Sequence, residues 1–119
     1  MIELGPGHLV GLGGAVGAML RFAVSELLPT DSYPYATVTV NVLGSFLLGL
    51  ATFAGLGGEA GLLVGVGALG AFTTFSSFSF ETVRLWETGK QRRAVSNVVG
   101  TFGAASLAVG LAWLLTRGL

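Results

Sequence analysis

Charged residues are missing from four long stretches of the chain, 4–20, 32–58, 60–80 and 94–116, and apolar residues fill them. Each stretch is close to the roughly 17–25 residues that a helix needs to cross the hydrocarbon of a bilayer. The pattern predicts an all-α integral membrane protein with spans over about 9–28, 36–56, 60–86 and 94–115, making one four-span domain over 1–119. The turn-forming run Pro29-Thr-Asp-Ser-Tyr-Pro34 closes the first span, Gly57-Gly58-Glu59 the second, and the polar linker Glu87–Arg93 the third. Tyr33, Tyr35, Trp86 and Trp113 fall near span ends, where amphipathic rings favour the headgroup region. The first span is not read as a cleaved leader, because no basic region precedes it and Arg21 and Glu26 follow its apolar run.

Composition sharpens this picture. Of 119 residues, 52% are hydrophobic and 10% charged, with a mean hydropathy of +0.80. A soluble domain carries roughly 25% charged residues to solvate its surface. Six acids and six bases cannot do so for a chain of this size. The absence of cysteine excludes disulfides and thiolate chemistry, and a single histidine excludes a His-based metal cluster or triad. A net charge of zero, with no basic run beyond Lys90–Arg93, argues against a nucleic-acid partner. The glycines of Gly11-Leu-Gly13-Gly14 lack the Lys-Ser/Thr that would complete a phosphate-binding loop. An enzyme is therefore not expected, and function is expected inside the membrane or at its faces.

Within the spans, the informative residues are the polar ones. Thr37, Asn41 and Ser45 recur every four residues and share one helix face, as do Asn97 and Thr101, with Ala105 next in that row. Such rows serve either as interhelical glue or as the lining of a polar passage. Arg21 either snorkels to the interface or faces an aqueous vestibule that attracts anions. No acid lies in mid-span, which counts against a proton-coupled exporter. The small-residue pairs Gly7/Gly11, Gly13/Gly17 and Gly61/Gly65 suit close helix packing, within the chain or between subunits.

The third span carries Gly70-Ala-Phe-Thr-Thr-Phe-Ser-Ser-Phe-Ser-Phe80, in which aromatics alternate with hydroxyls. In one reading the helix is continuous and Phe72, Phe75 and Phe78 form a packed stripe. In the other, hydroxyls satisfy a broken helix whose freed carbonyls suit a hard cation. A phenyl ring has a positive edge. Ring edges, hydroxyl protons and an Asn amide could therefore meet a small dehydrated anion, and neutral donors release an ion readily.

Three segments together resemble the CrcB/Fluc family of fluoride channels over essentially the whole chain. They are Gly13-Gly-Ala-Val-Gly-Ala-Met-Leu-Arg21, Thr39-Val-Asn41-Val-Leu-Gly-Ser45-Phe-Leu-Leu-Gly49 and Gly70-Ala-Phe-Thr-Thr-Phe-Ser-Ser-Phe78. The resemblance implies a third helix broken mid-span and an antiparallel, dual-topology dimer with two pores for passive fluoride efflux through the inner (plasma) membrane. By the same resemblance, Phe75 and Phe78 would present ring edges to fluoride, Asn41 would donate an amide proton, and Arg21 would sit at the vestibule. Thr74, Ser76 and Ser77 would fall in the hydroxyl-bearing break, and Asn97 and Thr101 would continue the track on span four. Backbone carbonyls of Gly70 and Thr73, from both subunits, would hold a structural Na+ at the dimer centre. Ala71 and Ser77 depart from the family's usual Gly and Thr, and Ala105 leaves the span-four row one hydroxyl short.

Charge placement bears on assembly. The side holding Arg84, Lys90, Arg92 and Arg93 outweighs the side holding Arg117, a bias toward a single orientation. A homodimer is expected, with a pair of homologous chains as the alternative. The readings from other classes are a small dual-topology multidrug exporter and a non-transporting accessory subunit.

Overall fold

The computed structural model describes residues 3–29 and 31–118, all of them helix or connecting turn. Helix α1, Pro6–Leu27, starts on a proline, whose missing N–H is no loss in a first turn. The Gly5 N–H ahead of it is taken by His8 Nδ1 at 3.1 Å. Helix α2, Tyr35–Phe53, ends in a turn through Gly55, whose φ of +82° favours a residue without Cβ.

The third span is built of four pieces. A single α-turn, α3 (Gly58–Ala60), leads into a nine-residue π-helical segment, Gly61–Leu69. A second short turn follows, α4 (Gly70–Phe72). Thr73 (φ −82°, ψ 158°) and Thr74 (φ −149°, ψ 124°) are extended, so the helix is interrupted before α5, Phe75–Glu87. The broken form of this span is therefore the one that occurs. A stripe of Phe72, Phe75 and Phe78 on one continuous helix does not exist, because the break separates Phe72, buried at 6% exposure, from the other two. Gly89, at φ +82°, reverses the chain into α6, Gln91–Thr116. At 26 residues α6 is about 39 Å long, enough to cross a bilayer with some tilt. The expected span limits shift by one or two residues, except that α2 stops three residues early at Phe53 and α1 and α6 begin three residues earlier than expected.

Packing follows backbone shape more than side-chain bulk. α1 lies against the π-helical segment and α4, α2 lies against α6, and α5 against α6. Gly13 and Gly17 on α1 press directly on the Leu63 and Ala68 carbonyls. From the other side, a Cβ on Gly67 would stand 2.7 Å from the Val10 carbonyl oxygen. Of the three small-residue pairs, only Gly13/Gly17 forms such a seam; nothing lies within 4 Å of where Cβ atoms on Gly7 and Gly11 would sit. Gly49 meets Ala112, which is fully buried, and Gly44 meets the Thr73 side chain and the Phe72 ring. The core is small, while Met19 (70% exposed), Phe22 (66%) and Leu107 (77%) face outward. That is the inverse of a soluble domain and is what a lipid solvent requires. Among the described residues four helices are long and apolar enough to cross a membrane, and the chain is a multi-pass membrane protein.

Candidate functional site: a polar cavity at the helix break

The break is held open by side chains. In a continuous helix the Thr74 N–H would bond the Gly70 carbonyl, and the Ser77 N–H would bond that of Thr73. Here Thr74 N–H donates instead to Asn41 Oδ1 at 2.8 Å, and Ser77 N–H to Thr74 Oγ1 at 3.2 Å. Asn41 Nδ2 returns a bond to the Thr74 carbonyl at 2.9 Å. One carboxamide thus pairs with both backbone groups of Thr74, as a neighbouring strand would, and α2 brings it there with Gly44 clearing room one turn on. The amide keeps its second N–H. Among the described residues the displaced Gly70 carbonyl retains a long 3.4 Å contact from Thr73 Oγ1, whose shorter bond goes to the Leu69 carbonyl at 3.0 Å.

Beside the break is a cavity of about 320 Å³ lined by Arg21, Ser25, Thr37, Thr74, Ser77 and Glu81, with Ala18, Phe22, Ala36 and Val40. Thr37 Oγ1 donates to Glu81 Oε1 at 3.0 Å. Arg21 Nε and Glu81 Oε2 are both buried without a hydrogen-bond partner among the described residues. The site therefore carries one cation, one carboxylate and four hydroxyls around a space that can take a small hydrated ion. On α5, outside the cavity lining, the Phe75 and Phe78 rings stand 5.9 Å apart at 43°. Phe75 opens α5 and is 79% exposed, while Phe78 is half-buried.

The structure puts Arg21, Thr74 and Ser77 in the cavity wall, with Asn41 bonded to the Thr74 backbone, while Phe75 and Phe78 do not line the cavity. The Ser76 hydroxyl stands 3.3 Å from Thr74 Oγ1. Asn97 and Thr101 lie elsewhere, buried at 0% and 6% exposure. The Thr101 hydroxyl donates to Asn97 Oδ1 (3.2 Å), Asn97 Nδ2 to Thr82 Oγ1 (2.9 Å), and the Thr82 hydroxyl to the Phe78 carbonyl (2.7 Å). In the single chain this row ties α6 to the backbone under Phe78 and does not line the cavity.

Sequence reasoning missed Ser25 and Glu81. Glu81 sits one residue past the uncharged 60–80 stretch, yet it lines the cavity. The signal was present: Arg21/Ser25, Thr37/Asn41 and Ser77/Glu81 are each four residues apart, so each pair shares a helix face. The three faces converge here.

Comparison with known proteins agrees in extent and kind. Residues 8–114 match the family model described as CrcB-like protein, Camphor Resistance (CrcB). The chain is 54% identical over 117 residues to a protein of Haloarcula marismortui named fluoride-specific ion channel FluC 2, covering 98% of each. It is 48% identical to one of Halobacterium salinarum named fluoride-specific ion channel FluC 1, over 92% of each. A Thermus thermophilus protein named fluoride-specific ion channel FluC is 42% identical, over 89% of this chain and 88% of that one. By near-full-length matches of this kind, the chain belongs to the CrcB-like family.

Proposed function

We propose that the chain is the subunit of a fluoride-selective channel that lets cytoplasmic fluoride leave passively across the plasma membrane. The observation that carries this reading is the hydroxyl-lined cavity containing Arg21 at the helix break, where Thr74 and Ser77 line it in the same segment that carries the Phe75/Phe78 pair. Full-length similarity to relatives named as fluoride channels supports it. Arg21 raises the local anion concentration, hydroxyls and the free Asn41 N–H replace water around the ion, and ring edges pass it on. Fluoride, the base of a weak acid, is trapped after hydrogen fluoride enters and dissociates, and a pore releases it without an energy source.

The working unit is an antiparallel pair. A lone chain leaves Phe75 79% exposed beside the break, and a second copy would enclose the path. The Gly70 and Thr73 carbonyls, released from the helix ladder by Asn41 and Thr74, have the donor chemistry a hard monovalent cation takes. Offered twice, they would hold a Na+ that pins the two breaks together. The charge bias toward the 84–93 end favours a second assembly, a pair of homologous chains. The Glu81 carboxylate favours a second transport mode, proton-linked exchange. Liposomes containing only the purified chain separate these. Rapid fluoride loss without chloride loss, unchanged when the pH gradient is collapsed, is expected. No flux from folded protein rejects the single-chain reading, and rescue by a homologous chain identifies the pair. Phe75→Ile and Phe78→Ile should cut flux with the dimer intact; full flux in both sinks the ring-edge account.

A further inference from the structure

The pore reading makes no use of the corner where α5 turns into α6. Arg84 lies in the last turn of α5, Lys90 in the turn, and Arg92 and Arg93 in the first turn of α6; all four are exposed. Gly89 to Arg93 form a shallow concavity of about 450 Å³. Arg93 is partly committed, donating from Nη1 to the Ser32 carbonyl at 3.1 Å, which fixes the corner against the 31–34 turn. Three carboxylates are nearby: Glu87 at the end of α5, and Asp31 and Glu81, which share a neighbouring pocket with Arg84 and Lys90. Four cations against three acids leave the corner with a net positive charge, and the concavity itself is lined by Lys90, Arg92 and Arg93.

Its height in the membrane is marked independently. Trp86, 52% exposed, precedes the turn by one helical turn, and the Tyr33–Tyr35 pair, 5.2 Å between ring centroids, stands at the same end. Such rings settle at the headgroup level. At the opposite end Arg117 is instead stacked over its own Trp113 at 4.9 Å. A basic concavity at the depth of lipid phosphates is complementary to an anionic headgroup, and its attachment to a membrane helix makes lipid the occupant rather than free phosphate.

We propose that the 84–93 corner is a binding site for the phosphate headgroup of an anionic lipid, with Lys90 and Arg92 as its free cations. Each juxtamembrane cation contributes enough that its removal weakens binding roughly fivefold at low salt. The test is a titration of the detergent-solubilised full chain with short-chain phosphatidylglycerol, read by Trp86 emission in a Trp113→Phe background. Saturable binding is expected, about twenty-fivefold weaker in Lys90→Gln/Arg92→Gln and weakened by salt. Short-chain phosphatidylcholine and inorganic phosphate at the same concentration should leave the emission unchanged. An equal response to phosphatidylcholine, or full affinity in the double variant with its folding confirmed by circular dichroism, overturns the site. An equal response to inorganic phosphate overturns the lipid assignment.

Discussion

Asn41 is the residue on which the break depends. Substituting alanine removes both of its bonds to Thr74, at 2.9 and 2.8 Å. Each intramolecular hydrogen bond contributes roughly 1 kcal/mol net, and an orphaned buried group costs about 1–3 kcal/mol. Thr74 lines the cavity, so water can reach part of the exposed backbone. The lower end therefore applies, about 1–2 kcal/mol for the pair. For a chain of this length that is a fall of roughly 4–10 °C in the thermal midpoint. A second effect is more specific. Once released, the Thr74 N–H is free to return to the Gly70 carbonyl and extend α4 through the break. That carbonyl would then no longer be available to a cation. Asn41→Ala should accordingly unfold earlier in detergent and lose any stabilisation by sodium over potassium, measured as the midpoint in matched salts. Asn41→Asp keeps an acceptor for Thr74 N–H, so it should retain more stability while losing fluoride flux to the added negative charge. An Asn41→Ala protein with an unchanged midpoint and unchanged sodium response would refute the bracing role.

Gly13→Ala places a Cβ against the Leu63 carbonyl and should destabilise by about 1–3 kcal/mol, whereas Gly11→Ala, which meets nothing within 4 Å, should be neutral in the same unfolding assay. Asn97→Ala leaves the buried Thr101 hydroxyl without its acceptor and removes the bond that Thr82 accepts, and should cost about 1–3 kcal/mol in denaturant titration. Arg21→Gln should lower liposome fluoride flux up to about tenfold at low ionic strength, with the deficit shrinking as salt is raised.

The four spans were legible because lipid imposes a single demand, long uncharged helix, that leaves its mark on every residue of a span. The break was only half legible. Hydroxyls after Phe72 serve a continuous helix as well as a broken one, and the choice rests on Asn41, thirty-odd positions away. Local pattern cannot weigh a partner on another helix. The cavity was partly legible for the same reason: Arg21 and the Thr37/Asn41 row stood out against apolar neighbours, whereas Glu81 hid at the span's edge. Asn97 and Thr101 formed a row as plain as that of Thr37 and Asn41. What separates the two rows is their partners: Thr37 lines the cavity and Asn41 bonds the Thr74 backbone, whereas Asn97 and Thr101 bond each other and Thr82.

The glycine seam between α1 and the third span also has a history in time. Gly13 and Gly17 find their partners, Leu63 and Ala68, only after α2 has been made and the third span has followed it. At roughly 5–20 residues per second, α1 waits some seconds in the bilayer with its narrowest face uncovered. During that interval lipid tails occupy the seam, and they have to be squeezed out before the helices can close. Insertion and assembly are thus separate events for this chain, and a substitution at Gly17 would act on the second while leaving the first untouched.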